Sequence, residues 1–451
     1  MAKKTAGRYA RAMMLCGTVC LSAQAFAVGL LDLYREAQQS DAQFAAAKAD
    51  REAADFQITQ ARGQLLPQVG INASRMRNDQ TVSTTYPVES LNSTREYGFM
   101  ATNGSLNLSQ ALFRPQLWAA YAQAKAQVRQ AEGNFLQAKQ DLIVRVAQAY
   151  FDILLAEDNV SLAAEQKAAI AEQLKQAQRY FEAGVGTVTD INEAQARFDT
   201  VVAQGIAAGS NLEIKIRVME QLVGKLYRGF GRLGTSMPLD QPEPSSVERW
   251  LEFALATNPL IKAREAALEV AQNEVYKSAA AHLPNVDIVA GRYFSKNPGY
   301  TTINTESWNN TVGVQVYIPL FSGGATQGRL NQSSALRERA QAEFEGALRS
   351  TTLNIRQEYL NVVNGVAQVK ALEQAVKSNE LALYSARKGL EAGVRTSFDV
   401  LNAQQLLFSA KRDLAQERYR YVLSRFRLRS AAGLLDEEDV ELVQRHLALQ
   451  Q

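Results

Sequence analysis

The sequence has almost no cysteine or histidine. Its cysteines are Cys16 and Cys20, and its histidines are His282 and His446. Both cysteines fall in a stretch that reads as a secretory leader. Lys3, Lys4, Arg8 and Arg11 make a basic start, Ala12 to Leu21 is mostly apolar, and Ala25-Phe26-Ala27 is a small-x-small cleavage site. The alternatives are a buried N-terminal helix, or cleavage before Cys20, for which Gly17-Thr18-Val19 is a poor lipoprotein site. Cleavage after Ala27 leaves a cysteine-free chain, which excludes a disulfide, a thiolate metal site, a catalytic thiol and a lipid-bearing N-terminus. Two isolated histidines give little support to a zinc site or a nucleophile–histidine pair. Neither GxSxG nor the phosphate-binding GxxxxGK occurs. No catalytic constellation, cofactor or metal is expected.

Excess charge and long apolar runs are missing too. The formal net charge of +3 includes four leader cations and no leader anions, so the processed chain carries 3 − 4 = −1. That balance removes the main support for a nucleic-acid partner. After residue 27 no stretch approaches the roughly 18 apolar residues of a membrane-spanning helix. An exported chain of this kind is periplasmic, secreted, or inserted in the outer membrane as β-strands.

The ten prolines all lie between Pro67 and Pro319, so 116–237 and 320–451 contain none. Proline breaks helix interiors, and both proline-free regions are rich in strong helix formers. In the second, Leu348, Ile355, Val362, Val369, Val376, Leu383 and Leu390 recur at steps of seven. In the first, Val146, Ile153, Val160, Leu174 and Phe181 keep that step, with Lys167 interrupting. A sustained heptad means helices that supercoil against neighbours.

The two regions are copies. Residues 182–190 read EAGVGTVTD and residues 391–399 read EAGVRTSFD, an offset of 391 − 182 = 209. Upstream, Leu66-Pro67-Gln68-Val69 matches Leu283-Pro284-Asn285-Val286 at 283 − 66 = 217. The first copy therefore carries about eight or nine extra residues, expected in a longer polar loop around Asp79 to Glu96. The expected division is a signal peptide at 1–27, a first repeat at 28–228, a linker at 229–246 with Pro238, Pro242 and Pro244, a second repeat at 247–433 and a C-terminal tail at 434–451.

Each repeat parses alike: a helix (about 30–66 and 246–283) ending at Leu-Pro, two strands (68–82 and 96–111; 285–295 and 308–319), then two long helices joined by a turn at Gly184 or Gly393. Val312, Val314, Val316 and Ile318 alternate with Thr311, Gly313, Gln315 and Tyr317, the period of a half-exposed strand. Pro115 opens the first long helix, where proline is tolerated, and Phe321-Ser322-Gly323-Gly324 turns the chain at the matching place. Four strands cannot close a membrane barrel in one subunit, since such barrels begin at about eight strands and leave no edge in lipid. Strands that span a membrane here must be shared among copies, whether two, three or more.

Residues 184–195 (GVGTVTDINEAQ), residues 393–404 (GVRTSFDVLNAQ) and the tail Leu428 to Asp439 resemble the TolC family in order and spacing. The resemblance covers essentially the whole processed chain. It implies an α+β membrane protein, a homotrimer with a twelve-stranded outer-membrane β-barrel continued by an α-helical barrel through the periplasm. It also implies contact with outer-membrane lipid, a periplasmic adaptor (membrane fusion) protein and an inner-membrane transporter.

Within the turns, Thr187 and Asp190, like Thr396 and Asp399, have capping-box spacing, so both carboxylates are read first as helix caps. The resemblance adds that Asp399 lines a periplasmic constriction and that Asp190 helps hold it shut. It makes Arg395 a tie between the two turns through Thr189 and Asp190; otherwise Arg395 is a solvated cation. Asn402 stands where the family pattern has a second aspartate, and Leu390 where it has a tyrosine. Gly184, Val185, Thr187, Gly393, Val394 and Thr396 form the turns expected to meet the adaptor. Tyr150, Phe151 and Tyr359 are read as helix packing. Because no cysteine is left to carry a lipid, type I protein secretion is preferred to multidrug efflux. A periplasmic coiled-coil scaffold, with the strands as polar loops, is the reading from a different class.

Overall fold

The computed structural model describes residues 28–233, 238–298, 305–445 and 447–448. The leader with Cys16 and Cys20, residues 234–237 of the linker, and His446 lie outside them.

The chain opens with α1 (Leu30–Ser40) and α2 (Ala42–Gly63), then the strands β1 (Gln68–Thr84) and β2 (Ser93–Phe113). The long helices α3 (Pro115–Glu182) and α4 (Val188–Val223) follow, then a short strand β3 (Arg232–Leu233). The second half repeats the order: α5 (Val247–Thr257), α6 (Pro259–Ala280), β4 (Asn285–Asn297), β5 (Thr305–Tyr317), α7 (Ala325–Glu391) and α8 (Ser397–Ala431). Helix α9 (Glu437–Arg445) and β6 (Leu447–Ala448) close it.

Both expected leading helices are broken, at equivalent places. Asp41 caps α2, accepting from Phe44 N at 2.7 Å, and Asn258 caps α6, accepting from Ile261 N at 3.1 Å. The two positions differ by 258 − 41 = 217, the upstream repeat offset. A side-chain acceptor bonding the following turn competes with helix continuation, and Pro259 at the start of α6 removes a donor as well. Each cap is also tied to a distant helix. Arg145 Nη1 and Nη2 donate to Asp41 at 2.8 and 2.9 Å, and Asn258 Nδ2 donates to the Ala431 carbonyl at 2.7 Å.

The strands pair antiparallel in the order β1-β2-β4-β5, leaving β1 and β5 as edges. This sheet corrects the scaffold reading, since its members are paired strands rather than polar loops. The extra residues of the first copy lengthen the strands more than the loop. β1 and β2 span 17 and 21 residues against 13 each for β4 and β5, while the connections are 85–92 and 298–304.

At about 1.5 Å per residue, α3 (68 residues) and α7 (67 residues) are each roughly 100 Å long. α3 packs antiparallel to α4, and α7 to α8. The heptad stripe is buried along its middle, at Val146, Ile153, Ile355, Val362 and Val369. In the first copy it does not hold to the tip, where Phe181 is exposed, whereas in the second Leu383 is still buried. The main core sits at mid-height, where α1, α5, α9 and the β3–β6 pair wrap the long helices. There Tyr150 donates to the Gly231 carbonyl at 2.7 Å, Phe151 stacks on Tyr419 with centroids 6.0 Å apart, and Tyr359 donates to the Ser245 carbonyl.

Candidate functional site

The sequence-derived residues gather at the end of the long helices farthest from the sheet, on two adjacent turns. Each turn is built the same way. Helix α3 stops at Gly184 (φ 72°) and α7 at Gly393 (φ 73°), left-handed positions where a side chain would be strained. Backbone bonds Val185 N→Tyr180 O and Val394 N→Gly389 O, both 2.9 Å, close the turns.

The next helix then starts on a capping box. Thr187 N donates to Asp190 Oδ2 at 3.1 Å, and Asp190 N donates to Thr187 Oγ1 at 3.2 Å. Thr396 N and Asp399 Oδ2 are 2.9 Å apart, and Asp399 N lies 3.2 Å from Thr396 Oγ1. Both carboxylates are therefore caps. The bonds from Thr396, backbone first and then hydroxyl, with the Arg395 charge, hold the Asp399 carboxyl below the usual carboxylate range.

The turns meet across a cleft lined by Tyr180, Asp190, Leu390, Thr396, Ser397 and Val400. Leu390 packs with Leu383 and Val400 in a small apolar cluster, where a tyrosine hydroxyl is absent. Asn402 and Thr189 are exposed, and Val185 and Val394 project into solvent at 78% exposure each. Arg395 Nη1 lies 3.7 Å from Asp399 Oδ1 on its own turn. Among the described residues it makes no ion pair with Asp190.

A residue pair missed in the sequence shapes this arrangement. Gly389 lies under Arg395: a Cβ there would come within 2.5 Å of Arg395 Cγ. In the first turn the sizes are exchanged, with Tyr180 at the position of Gly389 and Gly186 at that of Arg395 (389 − 180 = 395 − 186 = 209). A Cβ on Gly186 would meet Tyr180 Cβ at 3.0 Å. Aligning the copies at the 209 offset exposes this exchange without any structure.

No group of three or more histidine, cysteine, aspartate or glutamate side chains among the described residues is placed to hold a metal. The site offers carboxylates, the Arg395 cation and exposed apolar tips on paired coiled coils, at the opposite end of the long helices from a sheet with two open edges.

The sequence pattern of the outer membrane efflux protein family matches residues 33–225 and 250–434. The chain belongs to this family. It is 35% identical to the alkaline protease secretion protein AprF of Pseudomonas aeruginosa, over 94% of this chain and 88% of that one. It is 32% identical to the outer membrane protein TolC of Vibrio cholerae, over 93% of this chain and 94% of the other. Among solved structures, that of the outer membrane protein VceC from Vibrio cholerae superposes with a TM-score of 0.76, at 21% identity, over 90% of this chain and 96% of its own. The family is one of outer-membrane channels, so the four-stranded sheet is the chain's share of the membrane barrel and the long helices extend into the periplasm.

Proposed function

We propose that three copies of this chain form the exit duct of a type I protein secretion system, working with a periplasmic adaptor and an inner-membrane ABC transporter. The observation that carries the oligomer is the pair of open edges, β1 and β5. A sheet edge inside lipid leaves backbone groups unsatisfied, each costing several kcal/mol. Three four-stranded sheets joined edge to edge give twelve strands and no edge. The driving force comes from the transporter.

The reading of cargo rests on the likeness to a protein named for alkaline protease secretion. Deleting the gene is expected to leave the secreted protein inside the cell, and plasmid-borne expression to restore export. Drug susceptibility measured on the same strains separates this from multidrug efflux, which would sensitise the cell without blocking secretion.

In this reading 28–228 and 247–433 are the two repeats, 229–246 links them, 434–451 is a tail, and 1–27 is removed on export. The exposed tips at Val185 and Val394 meet the adaptor. Three copies of Asp399 line the constriction, with Asn402 adding no second acidic ring. The closing contact is intersubunit: Arg395 of one subunit reaches toward the Asp190 and Thr189 turn of the next.

A further inference from the structure

The sheet has one apolar and one polar face. Pairing register places Val69, Ile71, Leu106, Leu108, Ile288 and Val314 on the first, and Asn72, Ser74, Ser105, Asn107, Asp287 and Gln315 on the second. In a barrel the apolar face meets lipid and the polar face lines the lumen. The α-helices all leave the sheet at one end, so its opposite end, where the β1–β2 connection 85–92 lies, faces the cell surface.

Toward that end, the lipid face becomes basic. Arg75, Thr102, Lys296 and Glu306 stand side by side across all four strands. One row nearer the helices Phe294 packs on Trp308, centroids 4.7 Å apart, and Arg292 reaches up from the row below to lie 4.9 Å from the Trp308 centroid. Arg77 sits one row farther out. All four cations are exposed. The row of Glu306 is 316 − 306 = 10 residues beyond Val316. That is roughly 33 Å along the strand, or about 25 Å of height at a typical tilt, the thickness of an apolar band. Arg75, Arg77 and Lys296 therefore sit at the outer headgroup level, with the aromatics just beneath and Arg292 reaching up to them from within the apolar band.

Countercharges are fewer than cations. Lys296 bonds Glu306, and Arg77 lies 3.3 Å from Asp79. Glu96 stands one row beyond Asp79. Arg75 has no ion pair among the described residues, and Arg292 has only the indole face. Four cations against Glu306, Asp79 and Glu96 leave 4 − 3 = +1 on this part of each chain.

We propose that this belt binds the phosphates of a phosphorylated glycolipid in the cell-surface leaflet, with Arg75 and Lys296 flanking Thr102 as its centre. The proposal rests on the membrane placement of the sheet. Two cations about 10 Å apart, each one strand from Thr102, match a lipid headgroup carrying more than one phosphate better than a single ion. Arg292 and Arg77 extend the same field down and up the face.

The test is native mass spectrometry of the full assembly in detergent, with added bisphosphorylated lipid A, its dephosphorylated form, or phosphatidylcholine. Retention of bisphosphorylated lipid A alone is expected. The double variant Arg75→Gln/Lys296→Gln should hold it about tenfold less tightly. Arg95→Gln, which removes a cation from the opposite face, should leave retention unchanged. Equal retention of both lipid A forms, full displacement by millimolar inorganic phosphate, or equal loss in Arg95→Gln would overturn the proposal. The oligomer mass in the same spectra separates failed lipid binding from failed assembly.

Discussion

Gly389 lies beneath the aliphatic stem of Arg395, so close that a methyl group at 389 would fall 2.5 Å from Arg395 Cγ. Glycine occupies this position in the last turn of α7 although within a helix alanine is intrinsically better by about 1 kcal/mol. The vacancy lets the guanidinium lie back against Asp399, 3.7 Å away. Gly389→Ala is therefore expected to displace Arg395 and raise channel conductance in planar bilayers. In an Arg395→Ser background the same substitution should do nothing, and a persisting effect there would show that Gly389 acts otherwise.

Arg395 and Asp190 form a second test. Partly exposed ion pairs are worth roughly 0–1 kcal/mol each, so three acting together bias opening by up to about 3 kcal/mol. Arg395→Ser and Asp190→Ala should each raise conductance or opening frequency, and the double variant should add little to either. Fully additive effects, or none, would remove the pair from the gate.

Asp399 carries a pH dependence with a definite sign. Its carboxyl is held below the ordinary range by the Thr396 bonds. A depressed pKa keeps the group charged as pH falls through the usual carboxylate range. Cation preference should therefore persist through that range and fade only below it. Asp399→Asn should lose the preference at neutral pH. If it alters only thermal stability, the cap is the whole role.

The same sign governs stability at Asp41. Hydrogen bonds from Arg145, outweighing the desolvation that opposes them, lower its pKa. This contribution is complete above the ordinary carboxylate pKa and is lost as pH falls through the depressed folded value. Arg145→Met should cost about 1.5–3 kcal/mol at neutral pH, the range for hydrogen bonds to a charged group. The deficit should shrink in acid, as followed by the temperature at which the oligomer dissociates. A deficit independent of pH would assign the loss to packing instead.

Much of this architecture was legible from two simple patterns. Proline-free heptads marked α3 and α7, and period-two alternation marked β5, because coiled coils and exposed strands each impose one strong periodicity. The breaks at Asp41 and Asn258 are weakly marked in the sequence, although Asn258-Pro259 is a plain stop signal, because the flanking helix formers outweigh a single cap. The capping boxes at Thr187 and Thr396 could be read directly, being local in sequence. Aligning the copies sets Gly389 against Tyr180, but the Arg395–Asp399 contact could not be read, since heptad spacing says which face a residue occupies but not where a long side chain lies.

The open edges of β1 and β5 make assembly the central claim. Its most direct measurement is the mass of the detergent-solubilised protein from outer membranes, by native mass spectrometry or sedimentation with detergent correction. A trimer, twelve strands with no free edge, is expected. A stable membrane-inserted monomer, keeping four strands with both edges in lipid, would contradict it.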